Sequence, residues 1–485
     1  MVLKNLFSRI LNVGEIQRQS IVSLIWQIGQ TLFGFLSTVY FAQTLGASIL
    51  GSYFLFIAYL SVINLVADGG FGDAAIKRIS EGEEQNAYFS AFVLLRSIFV
   101  VLVVIVLITF QRYFVDLNDS GTFIWLILSL IVGIFYGAVS SGILGCAKVG
   151  IAATATFINN TSRIIVQVIA VVLGYGVAGL AGGFVAGMII CSMVQLRFFD
   201  LRFVRFRWTH IKSLATFSVW IFLISSGMIV FSTADTIMIG YFLNDANVGV
   251  YRIVLQFTLM ATFVTVVLRS TLYPKVSRWG KTGNITLIEK SLSRAFTYSL
   301  ILAIPMSVGG VLLGDKLLYY FYGPDFTDGY ITMVVLFIVQ IINIFHHFFT
   351  TYLTAMDHLK DLFKITILSV AANIALNILL IPMMGILGAA IATLFTMGLN
   401  AFLAMGILSK ILNIAVEIDS LLNILKASVM MGSLIMVYRM LIPLSNIWLT
   451  LVPVMIGGIL YLVLLLTFDK GIYKDLKGVI AQMNM

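Results

Sequence analysis

Residues 218–278 read SVWIFLISSGMIVFSTADTIMIGYFLNDANVGVYRIVLQFTLMATFVTVVLRSTLYPKVSR, and this stretch decides the fold class. Two apolar runs flank the polar break NDAN, and each is long enough to cross a bilayer as a helix, which takes about 20 apolar residues. The first run carries Asp235 and the second carries Arg252. An ionisable side chain inside a span is costly, so both residues are candidates for function.

The rest of the chain has the same character. Of its 485 residues, 60% are hydrophobic and only 11% are charged. A soluble domain averages about 45–50% apolar and about 25% charged residues. Because only helices and closed barrels satisfy the backbone within lipid, this composition predicts an all-α polytopic membrane protein.

The apolar runs predict about fourteen spans. They are placed at 20–42, 49–69, 88–110, 121–145, 151–173, 177–199, 216–242, 248–272, 292–314, 329–353, 362–382, 385–408, 424–443 and 446–468. The connector 275–290 is expected to form a short interfacial helix of its own.

The basic residues orient the spans. Of the 30 Lys and Arg residues, three lie in or next to alternate, outer segments, three lie deeper within spans, and the other 24 lie in the remaining segments or at the span ends that border them. The positive-inside rule therefore predicts that both termini lie in the cytoplasm and that the protein sits in the cytoplasmic membrane. The three outer residues are Arg112, Lys316 and Arg439.

A weak internal repeat divides the chain. GSY at 51–53 resembles GVY at 249–251, and GVAGLA at 176–181 resembles GILGAA at 385–390. The offset corresponds to six spans, so the two halves share one orientation, and transporters commonly bind cargo between such repeats. We expect an N-lobe at 1–206, a C-lobe at 207–410, and a C-terminal helix pair with its tail at 411–485.

Polar residues follow one face of the first span, among them Gln27 and Gln30. Such a face indicates a wet cavity, although helix packing through small and hydroxyl residues is the alternative. Near the end of the second span, Asn64 and Asp68 share a face. Asp68 is a candidate gate residue that pairs with basic groups at the cytoplasmic rim, or an interfacial carboxylate that balances Lys77 and Arg78.

Further polar side chains lie within later spans. Arg163 and Gln167 fall in mid-span, where no route to the interface exists, and both are candidates for a cargo cavity. Arg252 and Gln256 are cavity candidates in the eighth span. Arg269 near its inner end is a candidate gate residue, with snorkelling to the interface as the alternative.

The interior charge is mainly positive. Arg96, Arg163 and Arg252 lie within spans and Asp235 is the clear interior acid. For Arg96, an ion pair within the helix bundle is the alternative to cargo binding. Arginine matches phosphate oxygens bidentately, so this imbalance favours an anionic cargo.

No enzyme site is evident. The chain has no nucleotide-binding glycine loop, no zinc-protease motif and no nucleophile elbow. A membrane glycosyltransferase would need catalytic acids on an outer loop, and here such acids are dispersed over short loops. We therefore predict a non-enzyme without cofactor or metal; a coupling ion, H⁺ or Na⁺, is left open.

Several motifs resemble the polysaccharide-transporter branch of the superfamily that includes O-antigen flippases, lipid II flippases and multidrug extrusion proteins. They are DGGFGDAA at 68–75, DTIMIGYF at 235–242, YPKVS at 273–277, YGPDF at 322–326 and GILGAAIAT at 385–393. Each motif is weak alone, but together they run through most of the chain in order.

The resemblance implies two six-helix lobes, a central cationic cavity and alternating access. It also implies a cargo of saccharide on polyprenyl phosphate or diphosphate, moved from the cytoplasmic to the outer leaflet, with Arg252 as the best match to a basic cavity residue. Glycan assembly enzymes are expected partners and nucleic acid is not. The alternative is a cation-coupled multidrug or metabolite exporter, although that branch usually has twelve spans.

Overall fold

A computed structural model describes residues 15–475 and 477, except for the side chains of residues 15–28, 30, 32 and 224. In this part of the chain every regular element is a helix. The α-helices, in chain order, are α1 Glu15–Asp68, α2 Phe71–Ser80, α3 Gln85–Thr109, α4 Val115–Asp119, α5 Phe123–Gly145, α6 Val149–Val172, α7 Gly176–Leu196, α8 Trp208–Phe242, α9 Asp245–Leu259, α10 Phe263–Lys281, α11 Ile285–Tyr322, α12 Tyr330–Ala355, α13 Leu359–Met384, α14 Ile386–Leu408, α15 Ile418–Leu441 and α16 Ile447–Phe468.

The helix count agrees with the predicted spans. Within the described residues, 13 helices are long and apolar enough to cross a membrane. One of them, α1, is broken at Gly46, whose φ of 73° is not helical, and its two arms correspond to the first two predicted spans. Glycine tolerates that conformation because it lacks a Cβ. The prediction of an all-α fold with about fourteen spans is confirmed.

One local prediction was wrong. The connector 275–290 is not a separate interfacial helix: α10 continues to Lys281 through Pro274, and α11 begins at Ile285. The eighth predicted span is itself divided, since a short 3₁₀ turn at Met260–Thr262 joins α9 to α10. An apolar run predicts where the chain crosses the membrane, but it does not predict how far the helix continues beyond the membrane.

Two turns, one in each half of the sequence, share an unusual backbone conformation. Ala147 and Asp357 have positive φ angles of 58° and 64°. In each turn the next N–H reaches back five residues, from Lys148 to the Ile143 carbonyl at 3.1 Å and from His358 to the Leu353 carbonyl at 2.9 Å. These bonds close a helix C-terminus in the Schellman manner. The same turn thus ends α5 in one half and α12 in the other.

Contacts divide the molecule into two compact units, one ending at Tyr241 and the other beginning at Phe242. By this measure α8 groups with the first unit. The lobe boundaries expected after residues 206 and 410 remain predictions.

Candidate functional site

Asp68 and Arg96 form an ion pair between the end of α1 and the interior of α3. Arg96 is buried, and Asp68 also accepts a hydrogen bond of 3.2 Å from the N–H of Gly72. Asp68 was predicted to pair with basic groups at the cytoplasmic rim or to balance Lys77 and Arg78, and its basic partner in the structure is Arg96. Arg78 instead pairs with Glu81, and Lys77 lies over the Phe217 ring.

Gly137 leaves space for the Arg96 side chain of this ion pair. A Cβ on Gly137 of α5 would lie 2.5 Å from the Cζ of Arg96, so any larger residue would displace the guanidinium. The two charges of the pair balance each other inside the first unit. This arrangement corresponds to the ion pair that was the alternative to cargo binding for Arg96. A gate role for Asp68 and a cargo role for Arg96 stay predictions.

Arg163 has a different environment. It lies half-buried in the middle of α6, and within the described residues it has no hydrogen bond or ion pair. Its Nε is buried without a partner, and so is the Oδ1 of Asn159 one turn earlier. Residues four apart share a helix face. Arg163 and Asn159 therefore form a polar pair whose hydrogen-bonding capacity is unused.

Gly187 of α7 faces this pair. A Cβ on Gly187 would lie 2.9 Å from the Asn159 Oδ1 and 3.0 Å from the Arg163 Cβ. The glycine therefore lets α7 pack directly against the polar face of α6. Asn159 was not among the predicted site residues, although its spacing of four from Arg163 is a signal in the sequence that points to it.

Gln167 lies one turn after Arg163, and its side-chain amide nitrogen donates two hydrogen bonds. Its Nε2 donates to the Tyr53 hydroxyl at 3.0 Å and to the Leu180 carbonyl at 2.8 Å. The side chain is buried and joins α1, α6 and α7. In this conformation Gln167 holds the helices together, and its predicted cavity role is untested.

A second polar cluster lies in the other unit. Arg269 of α10 donates from Nε to the Thr351 hydroxyl at 2.8 Å, and its other contact joins Nη1 to the Nδ1 of His347 at 3.0 Å. Because arginine has only donors, this histidine nitrogen must be the acceptor. Among the described residues no acid pairs with Arg269.

Arg269 also borders an open cavity of about 330 Å³. The lining is rich in hydroxyl groups and comprises Val266, Arg269, Ser270, Tyr273, Thr351 and Thr354. The Ser270, Thr351 and Thr354 hydroxyls donate to backbone carbonyls of their own helices. Arg269 is therefore the charged donor in this lining that suits an anionic group. The gate role predicted for Arg269 is untested.

The other predicted site residues are placed as follows. Asp235 is buried in α8, and Arg252 and Gln256 are half-buried in α9. Each of these three has an electrostatic or hydrogen-bonding partner. Asn64 is half-buried in α1, whereas the side chains of Gln27 and Gln30 lie outside the described part. In the described part, no group of three or more His, Cys, Asp or Glu residues is arranged to hold a metal ion.

Two family profiles match parts of this chain. The profile of a family described as polysaccharide biosynthesis protein matches residues 16–279, which is more than half of the chain. The chain belongs to the polysaccharide biosynthesis protein family. A second profile, MatE, matches residues 221–379.

Relatives of this polysaccharide biosynthesis protein include two from Haloferax volcanii. The chain is 26% identical over 455 residues to the probable low-salt glycan biosynthesis flippase Agl15, covering 94% of this chain and 96% of the relative. It is also 26% identical over 409 residues to the probable flippase AglR, covering 82% and 84%.

Solved structures share the fold. The lipid II flippase MurJ in an inward closed conformation matches with a TM-score of 0.75 at 18% identity, over 94% of this chain and 99% of that one. An inward-facing multidrug resistance MATE transporter matches with a TM-score of 0.64 at 15% identity, over 79% and 96%. These named relatives and neighbours are flippases and transporters rather than enzymes.

Proposed function

We propose that this chain is a flippase for a lipid-linked oligosaccharide carried on polyprenyl phosphate or diphosphate. It moves the sugar headgroup from the cytoplasmic to the outer leaflet of the cytoplasmic membrane by alternating access, with both termini in the cytoplasm. Glycan assembly enzymes are its proposed partners. Support comes from the two relatives named as flippases, which the chain covers over most of their length.

The observation that carries the proposal is the uncompensated charge of Arg163. Arginine in the middle of a span is costly and is usually paired or functional. Arg96 has its acid in Asp68, whereas Arg163 has no partner in the described part of the chain. A phosphate group on the cargo would supply the missing negative charge and accept two parallel hydrogen bonds from the guanidinium.

The second cationic cluster is consistent with the same cargo. Within the described part of the chain, the hydrogen-bonding partners of Arg269 are neutral groups, Thr351 and His347, beside an open cavity. A diphosphate carries more charge than one arginine neutralises. Two separate arginine sites, one in each unit, would allow the anionic group to be held at successive stages of transport.

An exporter of amphipathic cations is the second candidate, because the MatE profile matches residues 221–379. Such a cargo needs interior carboxylates that are free to bind it. The described geometry disfavours this, since Asp68 is engaged by Arg96 and Gly72 and the interior acid Asp235 also has a partner.

The test is transport by the purified protein in proteoliposomes. We expect it to move a polyprenyl-diphosphate-linked oligosaccharide across the bilayer, measured by the access of an added glycosidase, at a rate well above that of protein-free vesicles. Efflux of an amphipathic cationic dye is measured in parallel. Dye efflux without glycan movement would replace the flippase with the exporter.

A further inference from the structure

The connection between α7 and α8 is a basic and aromatic segment with a fixed backbone. Residues 197–207 read RFFDLRFVRFR and form no helix or strand. We call them the 197–207 strap. The strap joins the ends of two membrane-length helices, so it lies where the hydrocarbon region meets water.

Side chains of α3 hold the strap backbone in place. The N–H of Arg202 donates to the Asn86 Oδ1 at 2.8 Å, and the N–H of Val204 donates to the Ser90 hydroxyl at 2.9 Å. The two donors lie two residues apart in the strap, and the two acceptors lie one helical turn apart on α3. Both bonds therefore form together, and α3 serves as a template for the strap.

The inner side of the strap is apolar. Phe199 and Leu201 pack into a cluster with buried residues of α2 and α3, and the Phe199 ring lies 5.1 Å from that of Phe89. Polar contacts fix the flanks: Asp200 pairs with Lys148, and the His210 Nε2 lies 2.8 Å from a Glu84 carboxylate oxygen. The strap is therefore ordered before any ligand binds.

The outer side is cationic and aromatic. Arg202, Arg205 and Arg207 are exposed, and so are the rings of Phe203 and Trp208, at 72% and 73%. The strap contains four arginines and a single acid, Asp200, which Lys148 already engages. The Phe203 ring also lies 5.2 Å from that of Phe89, so one of its sides contacts α3. Exposed aromatic rings at the end of a membrane-length helix are typical of the membrane–water interface.

We propose that the outer side of the strap binds the headgroups of anionic phospholipids in the leaflet that surrounds the protein. Arginine forks match phosphate oxygens, and tryptophan prefers the headgroup level of a bilayer. An anionic lipid presents a phosphate and a net negative charge together with an apolar region, which suits both kinds of exposed side chain. Because α3 pre-orders the strap, binding costs little conformational entropy.

The positive-inside rule alone would explain the basic residues of the strap, but it would not require the strap backbone to be fixed. The hydrogen bonds that the Arg202 and Val204 N–H groups donate to Asn86 and Ser90 add the order that a recognition surface needs. This proposal does not depend on the cargo, since it concerns the lipids around the protein.

Tryptophan quenching tests the proposal. The full-length protein is placed in phosphatidylcholine nanodiscs with a fixed fraction of brominated phosphatidylcholine or brominated phosphatidylglycerol. The signal of Trp208 is the difference between wild type and Trp208→Phe. We expect the brominated anionic lipid to quench it about threefold more than the zwitterionic one.

Two variants with equal loss of charge decide the outcome. The triple substitution Arg202→Gln, Arg205→Gln and Arg207→Gln should bring the quenching ratio close to one. The matched triple substitution at the end of α10, Lys275→Gln, Arg278→Gln and Lys281→Gln, should leave it unchanged.

If the strap variant does not fold, wild type at about 1 M salt replaces it, since the screening length then falls to roughly 3 Å and the ratio should drop. Equal quenching by both lipids in wild type at low salt would overturn the proposal. A ratio that survives in the strap variant, or in high salt, would equally overturn it.

Discussion

At the scale of single residues, the arginines of this protein differ in how their charge is balanced. Arg96 has Asp68, Arg269 has two neutral partners, and Arg163 has none in the described residues. The sequence placed Arg96 and Arg163 within spans, but it did not distinguish these environments. Pairing depends on side chains brought together from separate helices, and the spacing along one helix does not encode it.

The ion pair of Asp68 and Arg96 leads to a stability prediction. Removing one member of a buried pair leaves a charge without its partner, which costs about 3 kcal/mol. We expect Asp68→Asn to destabilise the protein more than Arg96→Gln. In Arg96→Gln the Asp68 carboxylate still accepts the hydrogen bond from the Gly72 N–H. In Asp68→Asn the buried Arg96 guanidinium has no other described partner.

Thermal unfolding in detergent measures the two single variants and the double variant. The double variant should be clearly more stable than the sum of the single effects predicts. Simple additivity would show that the pair contributes nothing as a pair.

At the scale of helices, the apolar runs predicted the spans well, because membrane length leaves a strong compositional signal. The interruptions within helices were harder to predict. The kink at Gly46 and the 3₁₀ turn between α9 and α10 depend on local backbone angles, which the apolar pattern does not reveal. The wrong prediction for 275–290 has the same origin: a helix that leaves the membrane loses its apolar pattern without ending.

The repeated turn at Ala147 leads to a second prediction. A left-handed backbone is strained for alanine but not for glycine, so Ala147→Gly should stabilise the protein by about 0.5–1 kcal/mol. Asp357→Gly should gain less, since aspartate tolerates this conformation better.

The control is Ala153→Gly, at an exposed position inside α6, which should destabilise by about 1 kcal/mol. Unfolding temperatures under one condition compare the three variants. Equal losses at Ala147 and Ala153 would refute the account of the turn.

At the scale of the whole molecule, the charge distribution predicts the orientation. In a Cys146→Ala background, Arg112→Cys should react with a membrane-impermeant maleimide from the outside of intact cells. Lys470→Cys, exposed beyond the end of α16, should react only after the membrane is opened. The reverse pattern would contradict cytoplasmic termini.

The site residues were only partly predictable at this scale. Arg163 was found because a charge inside an apolar run is visible in the sequence. Asn159 and Thr351 were missed, since polar uncharged residues in spans more often serve helix packing. The structure places Asn159 one turn from Arg163, and it places Thr351 in a hydrogen bond with Arg269.

The most direct test of the central claim is the rate at which reconstituted protein moves polyprenyl-diphosphate-linked oligosaccharide after Arg163→Ala. We expect a loss of about tenfold to hundredfold, the cost of one or two charge-assisted hydrogen bonds. Arg163→Lys should recover part of the rate, and the exposed control Arg112→Ala should keep all of it. A folded Arg163→Ala protein that transports at the wild-type rate would contradict the account.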